Sequence, residues 1–114
     1  PRPLGRISRV ARLMALAIRF DQLIRDGEVA DYADLARLAH VTRARITQIM
    51  NLLHLAPDIQ EEILSLPRTD GSRGPITERQ LRPIAAIIDW RKQRRMWKRL
   101  LAERQLDIAS TNCN

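Results

Sequence analysis

Residues 31–53 read DYADLARLAHVTRARITQIMNLL, and this stretch decides the fold. Asp31 and Thr42 are N-cap residues by type, since their short side chains accept from backbone N–H groups that a helix start leaves unpaired. They predict one helix over Tyr32–Leu38 and a second over Arg43–Leu53, joined by Ala39, His40 and Val41. Leu35 and Ala39 are expected to face inward from the first helix, and Ile46, Ile49 and Leu53 from the second. Val41 is expected to plug the turn, and Ala36 is small where the two backbones would come closest. Two short helices clamped in this way form the pattern of a helix-turn-helix, from roughly Tyr32 to Leu53. His40 stands where such turns usually carry Gly, which predicts a left-handed residue held with some strain.

Upstream, Val10, Leu13, Ala17, Phe20 and Ile24 recur at helical spacing and predict a helix from about Ser8 to Asp26, stopped by Gly27. Downstream, Pro57 fits the first turn of a helix over about 57–65, with Glu61 and Glu62 toward its favourable N-terminal side. Residues 67–76 hold two Pro and two Gly and read as a mobile surface loop. Thr77 and Gln80 have capping-box spacing and open a fifth helix with Leu81, Ile84, Ala85 and Ile88 on one side. Pro83 lies beyond the first turn, which predicts a delayed start or a kink. Asp89 caps a last helix from Trp90 to about Leu106, where Trp90, Trp97 and Leu101, with Met96 and Leu100, form an apolar stripe. No strand pattern or internal repeat is present. The expected fold is all-α, a compact five- to six-helix bundle containing a helix-turn-helix, with one domain over 1–106 and a polar tail over 107–114.

Composition narrows the function classes. The 114 residues are 45% apolar but only 4% aromatic, which suits a helix bundle cored by Leu, Ile, Ala and Val. The formal net charge is +7, so a polyanion is the expected partner. That charge is uneven: residues 1–27 and 89–105 carry net charges of +4 and +5, around a middle of −1. No run of apolar residues is long enough to cross a bilayer, so no membrane partner is expected. The single cysteine, Cys113, cannot form an internal disulfide, and the opening Pro1-Arg2-Pro3 has no signal-peptide pattern, so a cytoplasmic location is expected.

With its apolar side turned inward, the second helix of the pair presents Thr42, Arg43, Ala44, Thr47, Gln48 and Asn51 outward. These residue types suit direct reading of duplex DNA. Arg grips guanine O6 and N7, Gln or Asn grips adenine N6 and N7, and Ala or Thr methyls meet the thymine methyl. No Asp or Glu occurs between Val41 and Leu55, where a carboxylate would repel phosphates. Arg37, Arg45 and the cluster Arg91, Lys92, Arg94, Arg95, Lys98 and Arg99 are candidate phosphate contacts. Arg2, Arg6, Arg9 and Arg12 form a candidate basic arm. His40, His54 and Cys113 lack metal-ligand spacing, and no nucleophile or acid–base motif and no phosphate-binding Gly-rich loop is present. No enzyme activity, metal, cofactor or small-molecule ligand is therefore expected.

From Asp31 to Ala86 the chain resembles the central DNA-binding region of the ParB/KorB family of plasmid and chromosome partition proteins. The resemblance is carried by Asp34-Leu35-Ala36-Arg37-Leu38-Ala39, by Thr42-Arg43-Ala44-Arg45-Ile46-Thr47-Gln48, and by residues 51–60, NLLHLAPDIQ. The run from Ile76 to Ala85 is similar to the downstream helix of that domain. The resemblance implies an all-helical domain that binds a specific, usually palindromic, DNA site as a dimer, with Thr42, Arg43, Ala44, Thr47 and Gln48 facing the bases. The family's nucleotide-binding N-terminal domain has no counterpart in these residues, so partition activity is not implied and a stand-alone relative, tied to transcription or a mobile element, is the expectation. A homodimer is expected, through the Trp90–Leu106 helix or the first helix. Two rivals stay open. One is RNA binding through the basic ends, and the other is a protein-interaction module accessory to a recombinase or another DNA enzyme.

Overall fold

Ser8 opens the first helix. Its hydroxyl accepts from the Ala11 N–H at 3.2 Å, and α1 then runs Arg9–Arg25. The computed structural model describes residues 7–67 and 76–104; all but the two end residues of the expected loop over 67–76, and the tail over 107–114, lie outside them. Gly27 adopts φ 76°, the left-handed conformation its lack of a side chain permits. There the Gly27 N–H donates to the Ile24 carbonyl and the Glu28 N–H to the Leu23 carbonyl, each at 3.0 Å. This is the Schellman closure that satisfies carbonyls left over at a helix end.

Asp31 caps α2, Tyr32–Ala39, by accepting from the Asp34 N–H at 3.0 Å. Asp34 returns the favour to the Ala30 N–H at 3.1 Å. At the other end His40 sits at φ 58°, ψ 42°, left-handed as its place in the turn predicts. The Val41 N–H reaches the Ala36 carbonyl at 3.1 Å and the His40 N–H the Arg37 carbonyl at 3.4 Å, a second Schellman closure made without glycine. Thr42 then caps α3, Arg43–Met50, by accepting from the Arg45 N–H at 3.0 Å.

The second helix of the pair is shorter than its periodicity predicts. After Met50 the backbone tightens into a 3-10 turn, Asn51–His54, which buries Leu52. The tighter winding changes which residues face inward: Leu52 and Leu55 are buried, whereas Leu53 is only half-buried. Pro57 takes the first position of α4, Pro57–Leu64, where its missing N–H costs no hydrogen bond. Thr77 and Gln80 form both halves of the capping box that starts α5, Glu78–Ala85. The start is not delayed, and α5 continues through Pro83. Arg79, whose carbonyl loses its helical donor there, is exposed to water. Asp89 caps α6, Trp90–Glu103, and the last two residues of the expected helix, 105 and 106, lie outside the described residues.

Among the described residues there are six α-helices and no strand. α1 packs on α3 and α4, α2 packs on α3, and α5 links the 3-10 turn to α6. Their inner faces form one core that includes Met14, Phe20, Leu35, Ile46, Leu52, Ile63, Leu81 and Trp97. Several residues expected inside are outside. Ala39, the last residue of α2, is exposed, and Val41, beyond the left-handed turn at His40, is 39% exposed. Ile88 is 95% exposed, since α5 stops at Ala85 and the helical stripe stops with it. Trp90 and Met96 are exposed at 46% and 37%, while Trp97, Leu100 and Leu101 are buried as expected.

The residue that completes the buried side of α6 is Gln93. Its side-chain oxygen accepts from the Ala56 N–H at 2.8 Å. Its amide nitrogen donates to the carbonyls of His54 at 3.0 Å and Ile87 at 2.7 Å. One buried amide thus satisfies the N–H of Ala56 at the start of α4 and ties α6 to the chain just after α5. Gln60 closes the same corner by donating to the carbonyls of Leu53 and Leu55 at 3.1 and 2.9 Å.

Candidate nucleic-acid interface

The sequence-predicted reading residues share one exposed surface. Thr42, Arg43, Ala44, Thr47, Gln48 and Asn51 are all exposed on α3 and its two ends. Beneath them Ile46 and Ile49 are buried, opposite buried Leu35 and Ala36 of α2. The clamp is therefore smaller than the sequence suggests. It uses four residues on α2 and α3 themselves, and neither Ala39 nor Val41 contributes a buried side chain. The Thr47 hydroxyl donates to the Arg43 carbonyl at 3.2 Å.

The proposed phosphate contacts divide into two sets. Arg37, Arg45 and Arg94 have acidic partners within the fold. Arg37 pairs with Asp34 one turn earlier on the surface of α2. Arg94 makes a two-pronged contact with Asp58 of α4, at 2.9 and 3.2 Å, and lies over the Trp90 ring. The hydrogen bond from Arg94 holds the Asp58 carboxyl below its usual range, and Arg94 is correspondingly raised. Arg91, Lys92, Arg95, Lys98 and Arg99 are exposed and make no ion pair among the described residues. Of the candidate arm, Arg9 and Arg12 are exposed on α1, and Arg2 and Arg6 lie outside the described residues.

Arg45 is the residue whose surroundings differ most from expectation. One terminal nitrogen of its guanidinium donates to Glu78 Oε2 at 2.7 Å and to Gln48 Oε1 at 3.1 Å. Glu78, in the first turn of α5, also accepts from Arg82 at 3.2 Å and is only 13% exposed. Burial works against the Glu78 charge, but hydrogen bonds from Arg45 and then Arg82 outweigh it, and the carboxyl stays below the usual glutamate range. An ion pair between residues 33 positions apart thus fastens the outer surface of α3 to α5. The sequence offered one sign of it, an acid at the N-terminus of α5, without showing which cation it meets.

Two grooves flank this surface. One, of about 290 Å³, lies between α3 and α5 and is lined by Gln48, Asn51, His54, Arg82 and Ala85. The other, of about 470 Å³, continues past His54 to Ile87, Ile88 and Trp90 and is largely apolar. α6 packs against α5 and is hydrogen-bonded to α4 through Arg94–Asp58 and through Trp97 Nε1, which donates to Glu62 at 2.7 Å. Among the described residues no helix is long and apolar enough to cross a membrane, and no group of three or more His, Cys, Asp or Glu side chains gathers at one point.

Compared with models of known protein families, with curated proteins and with solved structures, the chain shows no match.

Proposed function

We propose that this chain binds double-stranded DNA in a sequence-specific manner, with α2, its turn and α3 acting as a helix-turn-helix and α3 lying in the major groove. The observation that carries this reading is the outer face of α3: six exposed polar or small residues without a carboxylate, on a helix fixed from below by buried Ile46 and Ile49. Arg43, Thr47, Gln48 and Asn51 are the base-reading residues, with Thr42 and Ala44 at the entry to the groove. Arg91, Lys92, Arg95, Lys98 and Arg99, which lack internal partners among the described residues, are the phosphate anchors. Arg37 serves as a weaker anchor, because its exposed pair with Asp34 exchanges readily.

The ParB/KorB-like run from Asp31 to Ala86 supports the same reading, and with it a cytoplasmic regulator or mobile-element accessory that binds as a homodimer. A single module contacts few base pairs, so two modules on neighbouring half-sites give useful specificity. Selection of duplexes from a random pool at about 150 mM salt tests this, since non-specific attraction is weak there. Recovery of an inverted repeat is expected. Recovery of no motif by folded protein overturns the reading.

A second reading has its own observation. The apolar groove at Leu53, Ile87, Ile88 and Trp90 is what a protein-interaction module would present, and α6 packs on α5 beside it. Motif-free selection, with weak binding that vanishes at moderate salt, would favour that reading.

A further inference from the structure

We propose that Glu78 and Arg45 are positioning residues that fix Gln48 as a hydrogen-bond donor, so that Gln48 selects guanine rather than adenine. The inference rests on the DNA-reading role of α3 proposed above.

The chemistry begins at Arg45. Its guanidinium carries only donors, so the Gln48 atom that faces it at 3.1 Å must be the amide oxygen. The Gln48 side chain therefore has its Oε1 turned back toward the protein and its NH2 turned away. Left to itself, one exposed hydrogen bond would not hold this arrangement, because two long side chains lose rotamer freedom to make it. Glu78 changes the balance. It grips the same Arg45 nitrogen at 2.7 Å, is itself mostly buried, and is braced by Arg82 at 3.2 Å. Arg45 is half-shielded as a result and does not swing freely to a phosphate.

The two purines ask different things of such a side chain. Adenine, read bidentately, needs both the amide oxygen, to accept from N6, and the amide nitrogen, to donate to N7. Guanine offers two acceptors, O6 and N7, to a side chain that only donates. A Gln48 whose oxygen is held toward Arg45 offers the base only its NH2, which matches guanine and meets the adenine N6 amino group donor against donor. Cytosine, which presents a donor in the major groove, is the worst fit.

The test compares the wild-type protein with Glu78→Ala and Arg45→Met by selection from a random duplex pool, with Gln48→Ala used to locate the position that Gln48 reads. The wild type is expected to select guanine there, by about tenfold over adenine. Both variants are expected to lower the guanine-to-adenine ratio at that position at least about fivefold, and to leave the other positions unchanged. They change the net charge in opposite directions, so a purely electrostatic role would move overall affinity oppositely and leave base preference alone. The same preference in all three proteins, or adenine at that position in the wild type, overturns the positioning role while the DNA-reading role stands. Recovery of no motif by folded wild-type protein overturns both. A DNA-free measurement stands beside this: the Arg45 guanidinium N–H signals in NMR spectra are expected to be resolved in the wild type and lost in Glu78→Ala. Signals equally resolved in both would overturn the anchoring by Glu78. Circular dichroism establishes that each variant is folded, and Arg45→Met serves alone if Glu78→Ala is not.

Discussion

The outer faces of α3 and α6 are both polar, and they are built from opposite materials. α3 shows one free guanidinium, at Arg43, among hydroxyl, amide and methyl groups, and its second arginine is bound to Glu78. α6 shows five exposed cations and no acid between Trp90 and Ala102. Point charges on long flexible stems attract any phosphate, whereas short amides and hydroxyls on a braced helix discriminate among base edges. On the proposed DNA-binding reading, the difference divides attraction and discrimination between two helices of one small fold. The supports differ as well. α3 buries only apolar side chains, Ile46, Ile49 and Met50, whereas α6 buries a Trp and an amide, Trp97 and Gln93, beside Leu100 and Leu101.

The largest expected effect tests whether α6 belongs to the same cooperative unit as α3. Trp97 is 2% exposed and donates to Glu62, so Trp97→Ala removes both packing and a hydrogen bond. A loss of about 3–5 kcal/mol is expected in urea denaturation followed by circular dichroism. A biphasic transition, with about three-quarters of the helical signal retained after the first step, would show α6 to be an appendage. Next in size, Gln48→Ala is expected to cost about 1–3 kcal/mol on the selected site and to relax one base position. Arg95→Ala is expected to weaken all sequences alike and to lower the slope of log affinity against log salt by about 0.9. If the two variants behave identically, the division of labour between the helices is wrong.

Smaller effects sharpen the account of how α3 is set. His40→Gly is expected to stabilise the fold by about 1 kcal/mol, because it removes the penalty of a side chain at φ 58° without touching the Schellman bonds. Thermal melting reads this directly, and a lower melting temperature would mean that the imidazole makes a contribution beyond its backbone angle. The smallest expected effect is the acid response. Glu78 has a lowered pKa in the folded protein, so its contribution is complete above the unfolded value of about 4.3 and is lost as pH falls through the folded value. Wild-type stability is thus expected to fall more steeply below about pH 4 than that of Glu78→Gln. Parallel curves would remove Glu78 as the source.

Much of the architecture was legible because it is local. Asp31, Thr42, Thr77 and Asp89 cap the helices they were expected to cap, since an N-cap is a contact across two or three residues. The left-handed turn at His40 was legible for the same reason. Side-chain burial was less so. Val41, Ile88 and Trp90 look apolar and therefore internal, but each lies at a point where a helix ends or begins and the periodic stripe loses its meaning. Gln93 fits the spacing of the α6 stripe, between Trp90 and Trp97, yet its amide gives it no apolar character that periodicity would pick out. Only the unpaired groups at Ala56, His54 and Ile87, 6 to 39 residues away, explain why an amide is buried there.

The sequence by itself determined the all-helical class, the caps, the sharp turn between α2 and α3, the segregation of charge into two end segments and the acid-free outer face of α3. All of these follow from propensity, capping and 3.6-residue periodicity, which act within a few turns of chain. Tertiary structure alone decided that Arg45 meets Glu78 rather than solvent, that Arg94 is spent on Asp58, and that Gln93 stitches three chain segments together. All of those contacts but the one to Ile87 join residues 33 to 39 positions apart, and their existence depends on which helix faces are pressed together. A charged side chain looks the same in sequence whether it meets water or a buried carboxylate; only packing removes the water and makes the partner matter.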